Sequence, residues 1–280
     1  MFSFHTMTEV TIWTGITVIV LLLATTQSNP IPVAGSFIQQ LFTSRRIFLH
    51  LAAVLAILLV NRMELWLEEI IPAQPDFTPA IYQLEGDLVA SIQHFFEHPA
   101  LTSLSTFFYV VVFQAVMIVS IALYIYQKQY KLFYAVCYAL IINYVVAIPF
   151  YLFFPVFEAW SFHPDVRLLI LDSFPTFEQT YRSLSGLDNC FPSLHTSLSV
   201  TMAVIALKSG NRFWGWFASL TAAFIIFSIF YMGIHWVTDA VAGSVLGVSA
   251  SLIALRISQG RASSPVRTFV RPWKGSSLGE

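Results

Sequence analysis

Charge is what this chain has least of: 10% of its 280 residues are Asp, Glu, Lys or Arg, against roughly 25% in a soluble domain. With 57% hydrophobic residues beside it, that scarcity excludes an ordinary soluble globule. Cysteine is rarer still. Cys137 lies inside an apolar run and Cys190 in a loop, so no disulfide is expected between them and the redox compartment is left open. No Lys or Arg precedes the first apolar stretch, which removes the positive region of a secretory signal. Residues 10–28 therefore read as a retained helix. Strict apolar–polar alternation is missing too, which argues against a transmembrane β-barrel. No internal repeat is evident.

What is present is a succession of apolar runs near the ~20 residues that cross a hydrocarbon core. Hydropathy places seven spans, near 10–28, 47–61, 104–126, 132–154, 192–208, 213–232 and 236–256. The expected fold class is all-α: an integral membrane bundle of about seven helices forming one domain over residues 1–257. A basic tail over 258–280, rich in Ser, Gly and Arg, is expected to be disordered. The short second span is extended by Arg62 to Ile71 as a helix leaving the membrane.

The few charges are sorted by side. Arg45, Arg46, Lys128, Lys131, Lys208, Arg212 and the five cations from Arg256 onward fall on one side, eleven of the 14 basic residues. Arg62, Arg167 and Arg182 are left for the other, and of the 15 acids only Glu280 shares the basic side. The positive-inside rule makes the basic side cytoplasmic, with the N-terminus outside. Two longer external segments result, 62–103 and 155–191. Within the first, Ile81 to Phe96 reads either as an amphipathic helix along the interface or as a connecting loop.

Two stretches carry ionisable groups at the membrane edge, where such groups are costly and point to function. The first is Cys190-Phe191-Pro192-Ser193-Leu194-His195, and the second is Gly233-Ile234-His235-Trp236-Val237-Thr238-Asp239. His235 and Asp239 are four apart, so on a helix they share a face. The carboxylate can then hold one imidazole nitrogen and leave the other free to attack. His195 starts the fifth span, and the charge count puts both histidines on the external face. Such a pair suits phosphoryl transfer, one histidine attacking phosphorus and the other protonating the departing oxygen. Ser193 and the backbone N–H groups from Leu194 onward offer donors to an anion at a helix N-terminus. Two histidines and an aspartate can also hold zinc with one position open. The one-turn spacing of His235 and Asp239 favours an orienting partner, so no metal and no cofactor are expected. Asn143 reads as interhelical glue, Gly243 and Gly247 as a close-packing pair, and His50, His94, His98 and His163 as surface or interfacial residues.

Phe191-Pro192-Ser193-Leu194-His195 resembles the second motif, P-S-x-H, of the type 2 phosphatidic acid phosphatase superfamily. Ser228 through Asp239 is similar to its third, S-R-x5-H-x3-D, with Ile229 at the arginine position. With Asn143 and Phe154-Pro155-Val156 upstream, the F-P-S-L-H variant looks most like the branch containing fungal inositol phosphorylceramide synthases. The resemblance covers about 104–250. It implies a six-helix lipid phosphatase-like core and a metal-independent mechanism, with His235 as nucleophile, Asp239 as its partner and His195 as general acid. The first motif, K-x6-R-P, has no external counterpart, and a phosphate site needs cations. Arg182, nearest in sequence, is the first replacement clamp and Arg167 the second. The expected partner is a membrane lipid rather than nucleic acid. The expected function is hydrolysis of a lipid phosphate, with a headgroup transferase or a non-enzymatic lipid-binding or transport protein as alternatives.

Overall fold

The computed structural model describes residues 3–68, 70–72, 74–181 and 185–260. The described residues are helical apart from loops and one isolated bridge, Val156 to Asn189. In chain order the helices are α1 (Met7–Thr26), α2 (Pro30–Thr43), α3 (Arg45–Glu68), α4 (Thr78–Glu85), α5 (Leu88–Phe96) and α6 (Pro99–Phe107). A π-helical turn, Phe108–Val112, joins α6 to α7 (Phe113–Tyr126), and α8 (Tyr130–Phe153) and α9 (Ala159–Phe162) follow. After a 3-10 turn, Leu169–Asp172, come α10 (Phe177–Tyr181), α11 (Leu194–Ala206), α12 (Arg212–Tyr231) and α13 (Val237–Gly260).

Six of these stretches are long and apolar enough to cross a membrane, counting α6 to α7 as one span from Pro99 to Tyr126. The chain is an integral membrane helical bundle. Helices satisfy their own backbone groups, which lipid cannot do for them. Their ends are fixed by polar caps: Thr6 on α1, Asn29 on α2, His98 on α6 and Asn211 on α12, each accepting from a first-turn N–H. Large apolar side chains stay exposed around the rim, such as Ile12, Leu55, Leu59, Trp216 and Val245, as a lipid-facing surface requires.

The expected fifth span is different. At 13 residues α11 is about 20 Å long, short of the ~30 Å hydrocarbon thickness. It need not face lipid, because α8, α12 and α13 pack around it. Its closest neighbour is α13, and small residues make that approach possible. A Cβ on Gly243 would lie 2.5 Å from Ser193 O, and one on Gly247 would collide with Ser197 O. Asn143 in α8 donates to Thr201 Oγ1 of α11 at 3.1 Å, the interhelical tie expected for it.

The segment from Ile81 to Phe96 is helical rather than a plain loop. It breaks at Gly86 (φ 56°) into α4 and α5, with Ile81, Val89, Ala90 and Gln93 buried. Gln93 explains the docking. Its amide donates to Arg167 O at 2.8 Å and Tyr231 O at 3.0 Å and accepts from Arg167 N–H. The two helices therefore form a lid over the end of α12 and the start of α13. At the far end α13 continues to Gly260, so the first three residues assigned to the tail are helical. The rest of the tail lies outside the described residues.

Candidate active site

The chain leaves α12 through Gly233, whose φ of 76° and close approach to Arg167 O exclude a side chain there. Ile234 and His235 both donate their N–H to Ile229 O, which sets His235 two residues before α13. Asp239, in the first turn of α13 and fully buried, reaches back. Its Oδ2 accepts from Trp236 N–H at 3.0 Å and meets His235 Nδ1 at 3.3 Å. With Nδ1 bearing the proton for that bond, Nε2 of His235 keeps its lone pair. The helix start itself is held by Glu85 of α4, whose carboxylate accepts from Val237 N–H at 2.8 Å and from Thr238 N–H. An anion at a helix N-terminus is favoured there.

His195 opens α11. Its ring stacks on Tyr109 at 4.1 Å with an interplanar angle of 19° and lies 4.7 Å from Phe113. Tyr109 comes from the π-helical turn, a distortion that often marks functional positions. Neither nitrogen of His195 has a hydrogen-bond partner among the described residues. Ser193 caps α11 by accepting from Thr196 N–H at 3.3 Å, and its own N–H donates to Asp239 O at 3.1 Å. That second bond ties the His195 loop to the His235 helix.

His195, His235 and Leu194 line one cavity of about 360 Å³, near the lower end of the roughly 300–1,000 Å³ typical of ligand pockets. Apolar walls come from Leu58, Val110, Phe113 and Leu198, and polar ones from Glu64, Asn189 and Arg62. Ser193 is buried behind the wall as a cap, not on it. Arg167 is directed elsewhere: its guanidinium donates to Glu97 at 2.8 Å and to Asp172 at 3.3 Å. Arg182 lies outside the described residues. Among the described residues Arg62, near the end of α3, is the arginine that lines the cavity, and it forms no ion pair there. Charge counting had left it on this side, but its distance in sequence from the motifs hid its place.

Glu64 is also new. It is 1% exposed and accepts from Asn189 Nδ2 at 3.1 Å, fixing the loop before His195 against α3. Of the histidines read as surface groups, His163 is buried instead. Its Nδ1 accepts from Asp165 N–H at 3.1 Å, and its Nε2–H donates to Asp87 at 2.9 Å. That bond, then one from Tyr82, holds the Asp87 carboxyl below its ordinary value of 3.8. Cys190, His235 and Asp239 have ligand atoms within 4.8 Å of one another and are the residues that could hold a metal ion. Cys190, however, donates to Ile234 O at 3.5 Å, and Asp239 Oδ2 already serves two N–H groups.

The bundle thus brings His195 and His235 to one cavity, with the buried Asp239 against Nδ1 of His235. A model of the PAP2 superfamily matches residues 80–253, and the chain belongs to that superfamily, whose general class is membrane lipid phosphatase. A crystal structure of Aquifex aeolicus LpxE is similar at 22% identity, covering 62% of this chain and 95% of that one with a TM-score of 0.48. Among curated proteins none matches.

Proposed function

We propose that this protein hydrolyses a phosphate ester or pyrophosphate of a membrane lipid through a phosphohistidine at His235. One observation carries the reading: His195 and His235 line a single cavity while Asp239 holds Nδ1 of His235. Nε2 of His235 attacks phosphorus in line, forming the N–P bond as the lipid–oxygen bond breaks. His195 gives its proton to the departing oxygen. Water then enters on the same side, loses a proton to His195 and breaks the N–P bond, releasing phosphate and restoring both imidazoles. The N–H groups of Leu194 and His195, in the first turn of α11, are the proposed donors to the anion. Arg62 supplies the cation, with Arg182, outside the described residues, as the second candidate; Arg167, already paired, contributes least.

The deciding experiment incubates purified protein with a panel of lipid phosphates, with and without hydroxyl-bearing acceptors, and measures both free phosphate and new lipids. Release of phosphate from at least one lipid, abolished in His235→Ala, is the expected result. Full activity of His235→Ala on every cleaved lipid would overturn the mechanism. The transferase reading is supported by the F-P-S-L-H variant, whose Phe191 packs on Phe154 of the second quoted segment at 5.2 Å. Phosphate retained on a new lipid would select it. Loss of turnover in chelator, regained with metal, would favour a metal at Cys190, His235 and Asp239. The site is proposed to face the extracytoplasmic side, opposite the basic loops.

A further inference from the structure

A second cavity, of about 1110 Å³, lies at the other end of the same helices. Its position follows from shared elements. α3 gives Arg46 and His50 to this cavity but Leu58 and Arg62 to the histidine cavity. α8 gives Tyr134 and Tyr138 here and Tyr144 and Tyr151 there. α13 begins at the catalytic aspartate and ends at this cavity with Leu255 and Ser258.

Four cations converge on it from separated segments: Arg46 at the start of α3, Lys128 and Lys131 at the α7–α8 turn, and Lys208 after α11. No acid lines it, and none of the four cations has an ion-pair partner among the described residues. Topology accounts for the sign of these loop charges but not for their meeting in one concavity. The turn is shaped for it. Lys128 holds a left-handed φ of 57°, uncommon for a residue with a Cβ. Bonds from Lys128 N–H to Ile125 O and Gln129 N–H to Tyr124 O close the turn.

The wall is built and rigid. His50 Nδ1–H donates to Arg46 O at 2.7 Å, so Nε2 accepts from Tyr138 O–H at 3.0 Å, and the ring lies 4.4 Å from Tyr134. Gln129 donates to Ser209 O at 2.8 Å, leaving its buried Oε1 without a partner. Leu132, Tyr134 and Leu255 add apolar surface beside the cations.

We infer that this cavity binds the headgroup of an anionic phospholipid from the leaflet at the basic end of the bundle. A phosphate satisfies the lysines and Arg46, and the glycerol and upper chains lie on the apolar wall. The volume is far more than a lone phosphate fills, and basic pockets between membrane helices take such lipids. The inference does not depend on the histidine chemistry.

The test is native mass spectrometry of the full-length protein in detergent. It is titrated with phosphatidylglycerol or with phosphatidylcholine of the same chains, and with inorganic phosphate as competitor. Phosphatidylglycerol should be retained about tenfold better than phosphatidylcholine, and phosphate should not displace it. Lys128→Gln/Lys131→Gln/Lys208→Gln should lose that preference, and Lys131→Arg should keep it. Should the triple variant not fold, Arg46→Gln alone is expected to weaken the preference several-fold. Equal retention of the two lipids, or a preference unchanged in a folded charge variant, overturns the inference. Displacement by millimolar phosphate overturns it in favour of a soluble anion.

Discussion

At the scale of single residues, the site turns on which atom holds which proton. Asp239 fixes His235 through Nδ1 at 3.3 Å and is itself pinned by Trp236 N–H. Asp239→Asn keeps the shape but can present an N–H where an acceptor is needed, inverting the tautomer. We expect kcat to fall by about 10²–10⁴-fold with the fold intact, read from turnover beside a melting curve. Arg62 makes a different prediction. As the cation in the cavity wall it should matter to substrate and transition state alike. Arg62→Ala is expected to lose at least about tenfold in kcat/KM, with partial recovery in Arg62→Lys. If Arg62→Ala matches wild type, the clamp belongs to the loop before His195. The contact of His235 with Asp239 was legible in the sequence because the two are one helical turn apart. Arg62 and Glu64 were not, since a helix more than a hundred residues away brings them.

At the scale of elements, the site is two helix starts held together from three sides. Gly243 lets α13 lie against Ser193, Glu85 anchors the first turn of α13 from the lid, and Ser193 bonds to Asp239 O. Gly243→Ala puts a Cβ 2.5 Å from Ser193 O, and backbone cannot yield as a side chain tip does. A cost of about 1–3 kcal/mol is expected, with turnover falling about 10²-fold as the histidines separate. Melting and kcat measured together separate these effects from a purely structural defect. The lid carries its own pH dependence. His163 holds the Asp87 carboxyl below its ordinary value of 3.8, so the bond's contribution is complete above that pH. It is lost as pH falls through the depressed value. Asp87→Asn should thus melt earlier than wild type at neutral pH, and the difference should vanish in acid. The lid was the least legible element. Its apolar residues look like those of an interfacial helix, and only Gly86 and the long-range bonds of Gln93 turn it inward.

At the scale of the whole molecule, the long helices were legible because lipid demands uninterrupted apolar runs, and α3 extends past Arg62 but ends at Glu68, short of the expected Ile71. α11 escaped that logic because protein, not lipid, surrounds it. The remaining whole-molecule property is orientation. The described acids gather at the histidine end, while Arg46, Lys128, Lys131 and Lys208 meet at the other, and a membrane reads that asymmetry during insertion. Both native cysteines are buried, Cys137 at 0% and Cys190 at 2% exposure, so the background for thiol labelling is low. Glu97→Cys, at the exposed end of the lid, should react with a membrane-impermeant maleimide in intact cells. Lys128→Cys, in the α7–α8 turn, should react only after permeabilisation. The reverse pattern would place the histidines on the cytoplasmic side and reassign the anionic leaflet to the catalytic end. Labelling of both in intact cells would mean that the bundle inserts in two orientations, which eleven of 14 basic residues on one side argue against.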